Sequence, residues 1–362
     1  MSRTYKGDGY RIVYPNRLAY SGMPALVSIA DATAYDGVGI TIKVGEEYYS
    51  EARTLYGGSA TFDISRYLQM AFLNKELAPQ YGGEPIKESA LGQEVSAVVQ
   101  LSNASGESLT ALSFDTLALF GYIAYGQVNG GARHRKLWAN FPQTFDFFIN
   151  NSSEIYVEFE DNYQDYNTVA WGDYKQASVE VAIPGTAKSA ELYADGVIYL
   201  NGATEVQGHT VYRLSVDRSK SGVYLRWIDH LGQWCYHLLR CTGNNYTTKE
   251  LQTWAIGELR DGIEPTNGVL QSGDFLHQQL SRQQTISLGA KLVDADTFDY
   301  LLSLTNSPRV EMLLNAEDYQ TKNAQPIWER VNIVAGSYAR TGAPLQDFVV
   351  SIAKTANKTQ ML

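Results

Sequence analysis

Along most of this chain apolar and polar residues alternate with a period of two, in short runs broken by glycine, proline or asparagine. That period is the signature of strands with one wet and one apolar face. Glu154-Ile155-Tyr156-Val157-Glu158-Phe159-Glu160 is the clearest case, and Ile40 to Val44 ends in the same way at Gly45. Tyr10 to Tyr14 is stopped by Pro15-Asn16, and Ala25 to Ala30 follows Pro24. The pattern also predicts strands over Ala60–Phe62, Glu94–Leu101, Ser113–Tyr125, Ser178–Ile183, Ala190–Leu200 and Thr210–Val216. Gly222–Ile228 and Gln233–Leu239 flank the turn Asp229–Gly232 and form a predicted hairpin.

A different period marks two helices. Ile64, Tyr67, Leu68, Ala71 and Phe72 fall on one helical face, so a helix is expected from Ile64 to about Leu77, capped by Asp63. A second is expected through Phe298, Leu301, Leu302 and Leu304, capped by Asp294 or Asp296 and stopped by Asn306-Ser307-Pro308. Strands over Val310–Leu314, Glu329–Val334 and Asp347–Ile352 follow it. Residues 1–9 read as a flexible arm, and Pro79–Gly92 and Gln127–Lys136 as loops. The expected fold class is mainly β, with multidomain β-sandwich-like domains, a few short helices and a mixed α+β C-terminal part. The expected divisions are 1–128, 129–255 and 256–362, since 362 residues are too many for one ordinary domain.

Composition narrows the function. The 25 tyrosines suit both pleated surfaces and protein contacts, because one end of the ring is apolar and the other can hydrogen-bond. The formal net charge of −10 argues against nucleic acid, which needs a basic face to displace counterions from phosphates. The one basic cluster is Arg133-His134-Arg135-Lys136. Two cysteines, Cys235 and Cys241, do not make a disulfide framework, and both are expected reduced and free of metal. No charged start followed by an apolar run reads as a signal peptide, and no stretch is long and apolar enough for a membrane span. The Asn-X-Ser/Thr patterns at Asn103, Asn151, Asn245 and Asn357 are therefore expected to stay bare.

Catalytic and cofactor chemistry finds no frame. None of His134, His209, His230, His237 and His277 stands in a zinc-helix spacing, and His230 and His237 beside the cysteines match no zinc pattern. Asp161, Asp165 and Asn167 resemble part of a calcium loop but lack its glycine and terminal glutamate, so an acidic solvated loop is expected. Phosphate-binding glycine loops are absent. Trp138, Trp171, Trp227 and Trp234 could stack on sugars, yet tryptophans inside alternating strands more often pack in cores. No catalytic, cofactor-binding or metal residue is assigned.

Four segments together resemble tail proteins of Bacteroides-type phages and prophages, in particular distal-tail and baseplate ring subunits. They are NRLAYSGMP (Asn16–Pro24), TFDISRYLQMAF (Thr61–Phe72), RKLWANFPQTFDFF (Arg135–Phe148) and GVYLRWIDHLGQWCYHLL (Gly222–Leu239). The resemblance implies a virion structural subunit assembled in the bacterial host cytoplasm and working in the phage tail tip. It would be a homo-oligomeric ring, six-fold in many such subunits, in contact with other phage tail proteins. Closed rings need two different patches on each subunit. Arg133, Arg135, Lys136, Trp138 and Phe141 are the interface candidates, because Arg and aromatic residues are enriched at protein contacts. The alternatives are a receptor- or glycan-binding tail protein contacting a host surface glycan, and a glycan depolymerase using Asp161 and Asp165.

Overall fold

The computed structural model of the chain describes residues 2–360 apart from 125–126, 151–152, 161, 167–173, 202–203, 256–274, 335, 337 and 355–356. It is mainly β and falls into two compact units. Unit 1 is Met1–Ser219 with Ile228–Cys235; unit 2 is Lys220–Trp227 with Tyr236–Leu362.

Unit 1 begins with β1 (Ser2–Gly7), β2 (Tyr10–Pro15), β3 (Leu18–Tyr20), β4 (Leu26–Ala30), β5 (Gly37–Val44), β6 (Glu47–Thr54) and β7 (Ala60–Asp63). Helix α1 (Ser65–Met70), β8 (Ile86–Glu88), β9 (Gly92–Ser102) and β10 (Ser108–Leu119) follow. The sheet β1-β2-β4-β7 faces the sheet β3-β10-β9-β5-β6 across a shared core. Ile12, Val27, Ile29 and Phe62 come from the first sheet, and Val38, Ile40, Ile42, Val95, Val99 and Leu101 from the second. This is a β-sandwich, closed because each sheet has one apolar face to bury.

A second sandwich uses β11 (Gly131–Trp138), β12 (Thr144–Ile149), β13 (Glu154–Phe159), β14 (Asn162–Tyr166), β15 (Lys175–Glu180), β16 (Ser189–Asn201) and β17 (Thr204–Asp217). Its larger sheet runs β11-β17-β16-β13-β14 and its smaller one β12-β15-β8. Phe145, Phe147, Ile149 and Val179 meet Ile155, Val157, Leu192 and Leu214 in its core. A third cluster, with Leu18, Tyr20, Leu119, Phe148, Leu200 and Leu231, ties both sandwiches to the segment Ile228–Cys235.

Unit 2 takes β18 (Val223–Ile228), β19 (Trp234–Ala255), β20 (Phe275–Val293), α2 (Ala295–Leu302), β21 (Val310–Leu313), α3 (Ala316–Lys322), β22 (Trp328–Ile333), β23 (Gln346–Lys354) and β24 (Asn357–Gln360). The sheet order is β19-β18-β21-β22-β23-β20-β24, and β19 also pairs with β20. The ladder from β19 through β20 therefore returns to its starting strand, as in a barrel, while β24 pairs with β20 alone. Asp294 caps α2 by accepting the Thr297 N–H at 2.7 Å, and Phe298 of that helix packs edge-on against Phe348 of β23.

Several expectations are corrected. Within the expected arm, Ser2–Gly7 forms strand β1, paired in register with β2 through the turn Asp8-Gly9; Tyr5 and Arg3 lie on Tyr10 and Tyr14 and give the pairing its apolar contact. The first helix is only 6 residues long, and Asn74 takes a left-handed φ of 58° just beyond it. Strand β10 stops at Leu119, before Gly121 at φ 101°, and Tyr125 lies outside the described residues. Part of the Pro79–Gly92 loop is strand β8, held by β15. Most of Gln127–Lys136 is strand β11, hydrogen-bonded in parallel to β17.

Candidate functional site

The hairpin is present, and its tip is held by a dense set of polar bonds. Asp229 N–H donates to Gln233 O at 3.0 Å, and the Asp229 carboxylate accepts the Gln233 N–H at 2.9 Å, which closes the turn on itself. Gly232, at φ 67°, completes it. A Cβ at Gly232 would lie 2.0 Å from Phe120 O, and one at Gly121 would lie 2.3 Å from His230 O. Two glycines thus let two backbones touch. Tyr122 N–H donates to His230 O at 2.7 Å across the same contact.

Under the tip lies a buried polar network. Asp146 of β12 accepts the Trp234 N–H at 2.9 Å and the Ser178 hydroxyl. Burial pushes the Asp146 carboxyl up to about 6; bonds from Ser178 and Trp234 oppose the rise, and nearby Asp229 adds to it. Gln176 donates to Gly232 O at 3.0 Å, and Tyr20 donates to Leu231 O at 3.1 Å while accepting from Asn129. Tyr212, pushed up to about 12 by burial, donates to Asp146 O at 3.2 Å. Arg133 donates to Gln233 Oε1. These bonds fix the position of the turn against the strands beneath it.

The interface candidates separate in the structure. Trp138 and Phe141 are only 3% and 5% exposed, and are core residues of unit 1. Arg133 is drawn inward to Gln233 and Val128 O. Arg135 is half-buried, and Lys136 is exposed, 3.3 Å from Asp217 and over the Trp138 ring. The sequence took this segment for a loop because four polar residues in succession hide the alternation; the parallel pairing to β17 supplies what the pattern lacks.

Other candidates fall as follows. Trp227 and Trp234 are buried, and Trp171 lies outside the described residues. Asp161 and Asn167 also lie outside them, while Asp165 belongs to strand β14 rather than to a loop. Cys235 is buried and Cys241 exposed. His134 and His209 are exposed on strands, His230 sits 3.1 Å from Gln127 Oε1, His237 is buried, and the side chain of His277 lies outside the described ones. Among the described residues no three His, Cys, Asp or Glu side chains gather as metal ligands, and no helix is long and apolar enough to cross a membrane.

Two features escaped the sequence. One is a cleft of about 280 Å³ lined by Arg3, Tyr14, Arg17, Asp115 and Tyr174, with Arg3 and Arg17 stacked on the two tyrosines at 4.7 and 4.6 Å. The other is a buried ion cluster in unit 2. Glu311 of β21 accepts from Arg226 at 2.6 Å and Arg309 at 2.7 Å, and Arg226 lies 4.1 Å above the Trp328 ring.

No family model and no curated protein matches the chain. Among solved structures it is similar to an I-band fragment from titin, at 9% identity over 78% of this chain and 94% of that one, with a TM-score of 0.16. An E-to-A mutated variant of the same titin domains matches at 9% identity over 76% and 91%, also with a TM-score of 0.16.

Proposed function

We propose that this chain is a phage virion structural protein, a ring-forming subunit of the tail tip or baseplate that links the tail tube to the adsorption apparatus. The observation that carries the reading is where the four resembling segments sit. Leu18, Tyr20, Phe62, Tyr67, Leu68, Trp138, Phe145, Trp227, Trp234 and Tyr236 are all buried. The aromatic residues behind the resemblance are scaffold, as a structural subunit requires, and the hairpin motif ends in a locked turn rather than an open pocket.

The test is labelling of purified phage tails with antibody raised against the chain. The expected result is decoration confined to the tip. Absence of label from intact and dissociated tails alike would refute it.

A second reading, a receptor- or glycan-binding tail protein, is favoured by the Arg3–Arg17 cleft, whose tyrosines and paired guanidiniums suit a polar ligand. Saturable binding of host surface glycan to the purified chain, lost in Arg17→Ala, would support it.

A further inference from the structure

We propose that the Arg3–Arg17 cleft of unit 1 recognises a carboxylate-bearing sugar, with Arg17 taking the carboxylate and Asp115 accepting sugar hydroxyls. The inference rests on the glycan-binding reading above and names the class of sugar.

The cleft holds two opposite charges, and neither is spent on the protein. The Arg17 guanidinium makes no hydrogen bond or ion pair with any described residue, and nor does the Asp115 carboxylate. Both line the same cleft without pairing to each other. Arg17 is nevertheless held in place. Its N–H donates to Glu205 Oε2 at 3.1 Å, and its carbonyl accepts the Leu117 N–H at 2.6 Å. Its guanidinium lies over the Tyr174 ring at 4.6 Å, which covers one face of the cation and leaves the N–H edge for a ligand. A cation held in this way loses little freedom on binding.

The other charged groups of the cleft are engaged. Arg3 donates through Nε to Pro15 O at 3.0 Å and through Nη2 to Asp115 O at 2.9 Å, and it lies over Tyr14 at 4.7 Å. It is a fixed wall that also anchors the strand carrying Asp115. Burial holds its pKa below the ordinary value, and the charge of Arg17 pushes the same way, against Tyr14, Glu205 and Asp115. Glu205 accepts the Arg17 N–H, and Glu94 lies 3.7 Å from Lys175.

The complementary ligand carries one anionic group and, across a small ring, hydroxyl donors. A hexuronic acid has this arrangement. Its planar carboxylate matches the guanidinium fork in bidentate fashion, and its hydroxyls suit a carboxylate acceptor. A neutral sugar leaves Arg17 unanswered, and a dianion such as phosphate is repelled by Asp115. The cleft volume of about 280 Å³ is close to the ~300 Å³ lower end of ligand pockets, which suits one ring rather than a long chain.

The test is saturation-transfer NMR titration of the purified chain with methyl glucuronide and methyl galacturonide, each beside its uncharged amide and its neutral methyl glycoside. At least one uronide should bind about tenfold more tightly than its amide and its neutral counterpart; this arm needs no variant to fold. Arg17→Ala should abolish that preference, and Asp115→Ala should weaken uronide binding by about tenfold, with circular dichroism reporting that each remains folded. Inorganic phosphate at equal concentration should not displace the uronide. If host surface glycan binds but the uronides bind no better than their amides, the carboxylate inference is overturned and the glycan-binding reading stands. Uronide binding unchanged in either folded variant, or displaced by equimolar phosphate, also overturns the inference. If neither uronides nor host surface glycan bind, both fall.

Discussion

At the scale of single residues, the hairpin tip is where chemistry and backbone geometry are most tightly coupled. Gly232→Ala forces a side chain into the left-handed region and against Phe120 O. The backbone term alone costs about 1–2 kcal/mol, and the contact adds to it. The denaturant midpoint of unit 1 should fall accordingly, whereas Gly45→Ala, with open space around its Cβ, should cost only the backbone term. Asp146 makes a pH prediction. Its carboxyl is raised from the ordinary 3.8 to about 6 in the folded chain, so the folded state holds this proton more tightly than the unfolded one. Its contribution thus favours folding below pH ~4 and is lost as pH rises through about 6, on the order of 3 kcal/mol in all. Stability measured across that window should carry this downward slope in the wild type and lose it in Asp146→Asn; an unchanged slope in the variant would contradict the assignment. Asp229 and Gly232 were legible in the sequence as a turn. The partner Asp146 was not, because it lies far away in the chain inside a strand with no polar pattern of its own.

At the scale of elements, strands with clean alternation could be read from the sequence, and strands defined by their neighbours could not. Glu154–Phe159 and Ala190–Leu200 alternate because one face is wet, and both occur where expected. Thr144–Ile149 is buried at every position, so its apolar run carried no period. β11 fails for the opposite reason, being polar on both faces at a sheet edge. The helix cap at Asp294 was readable, and Asp294→Ala should cost about 1 kcal/mol of unit 2 stability. The ion cluster is a cross-strand row, with Glu311 of β21 paired in register to Arg226 of β18 on one side and Arg330 of β22 on the other. Removing its shared carboxylate leaves buried guanidiniums uncompensated. Glu311→Ala should therefore cost about 3–5 kcal/mol, seen as early melting of unit 2, whereas Lys322→Ala, an exposed helix pair with Asp318, should change stability by less than about 0.5 kcal/mol.

At the scale of the whole molecule, the sequence conveyed a mainly β protein but not its connectivity. The chain leaves unit 1 after Ser219, returns for Ile228–Cys235, and then completes unit 2. The expected divisions at 128 and 255 are contiguous, and a hairpin whose stem belongs to one unit and whose tip belongs to the other has no composition signal. The closed ladder of unit 2 was hidden similarly, since β19 and β20 close it through pairings distant in sequence. Tyr20, Tyr212, Tyr224 and Trp227 are buried as scaffold, whereas Tyr48, Tyr56 and Tyr122 are exposed. The central claim is the proposed ring assembly, and mass measures it most directly. Light scattering of the purified chain across a concentration series should give an integer multiple of 40.2 kDa, six-fold being the multiple the family resemblance implies. A constant mass of 40.2 kDa up to the solubility limit would contradict the account.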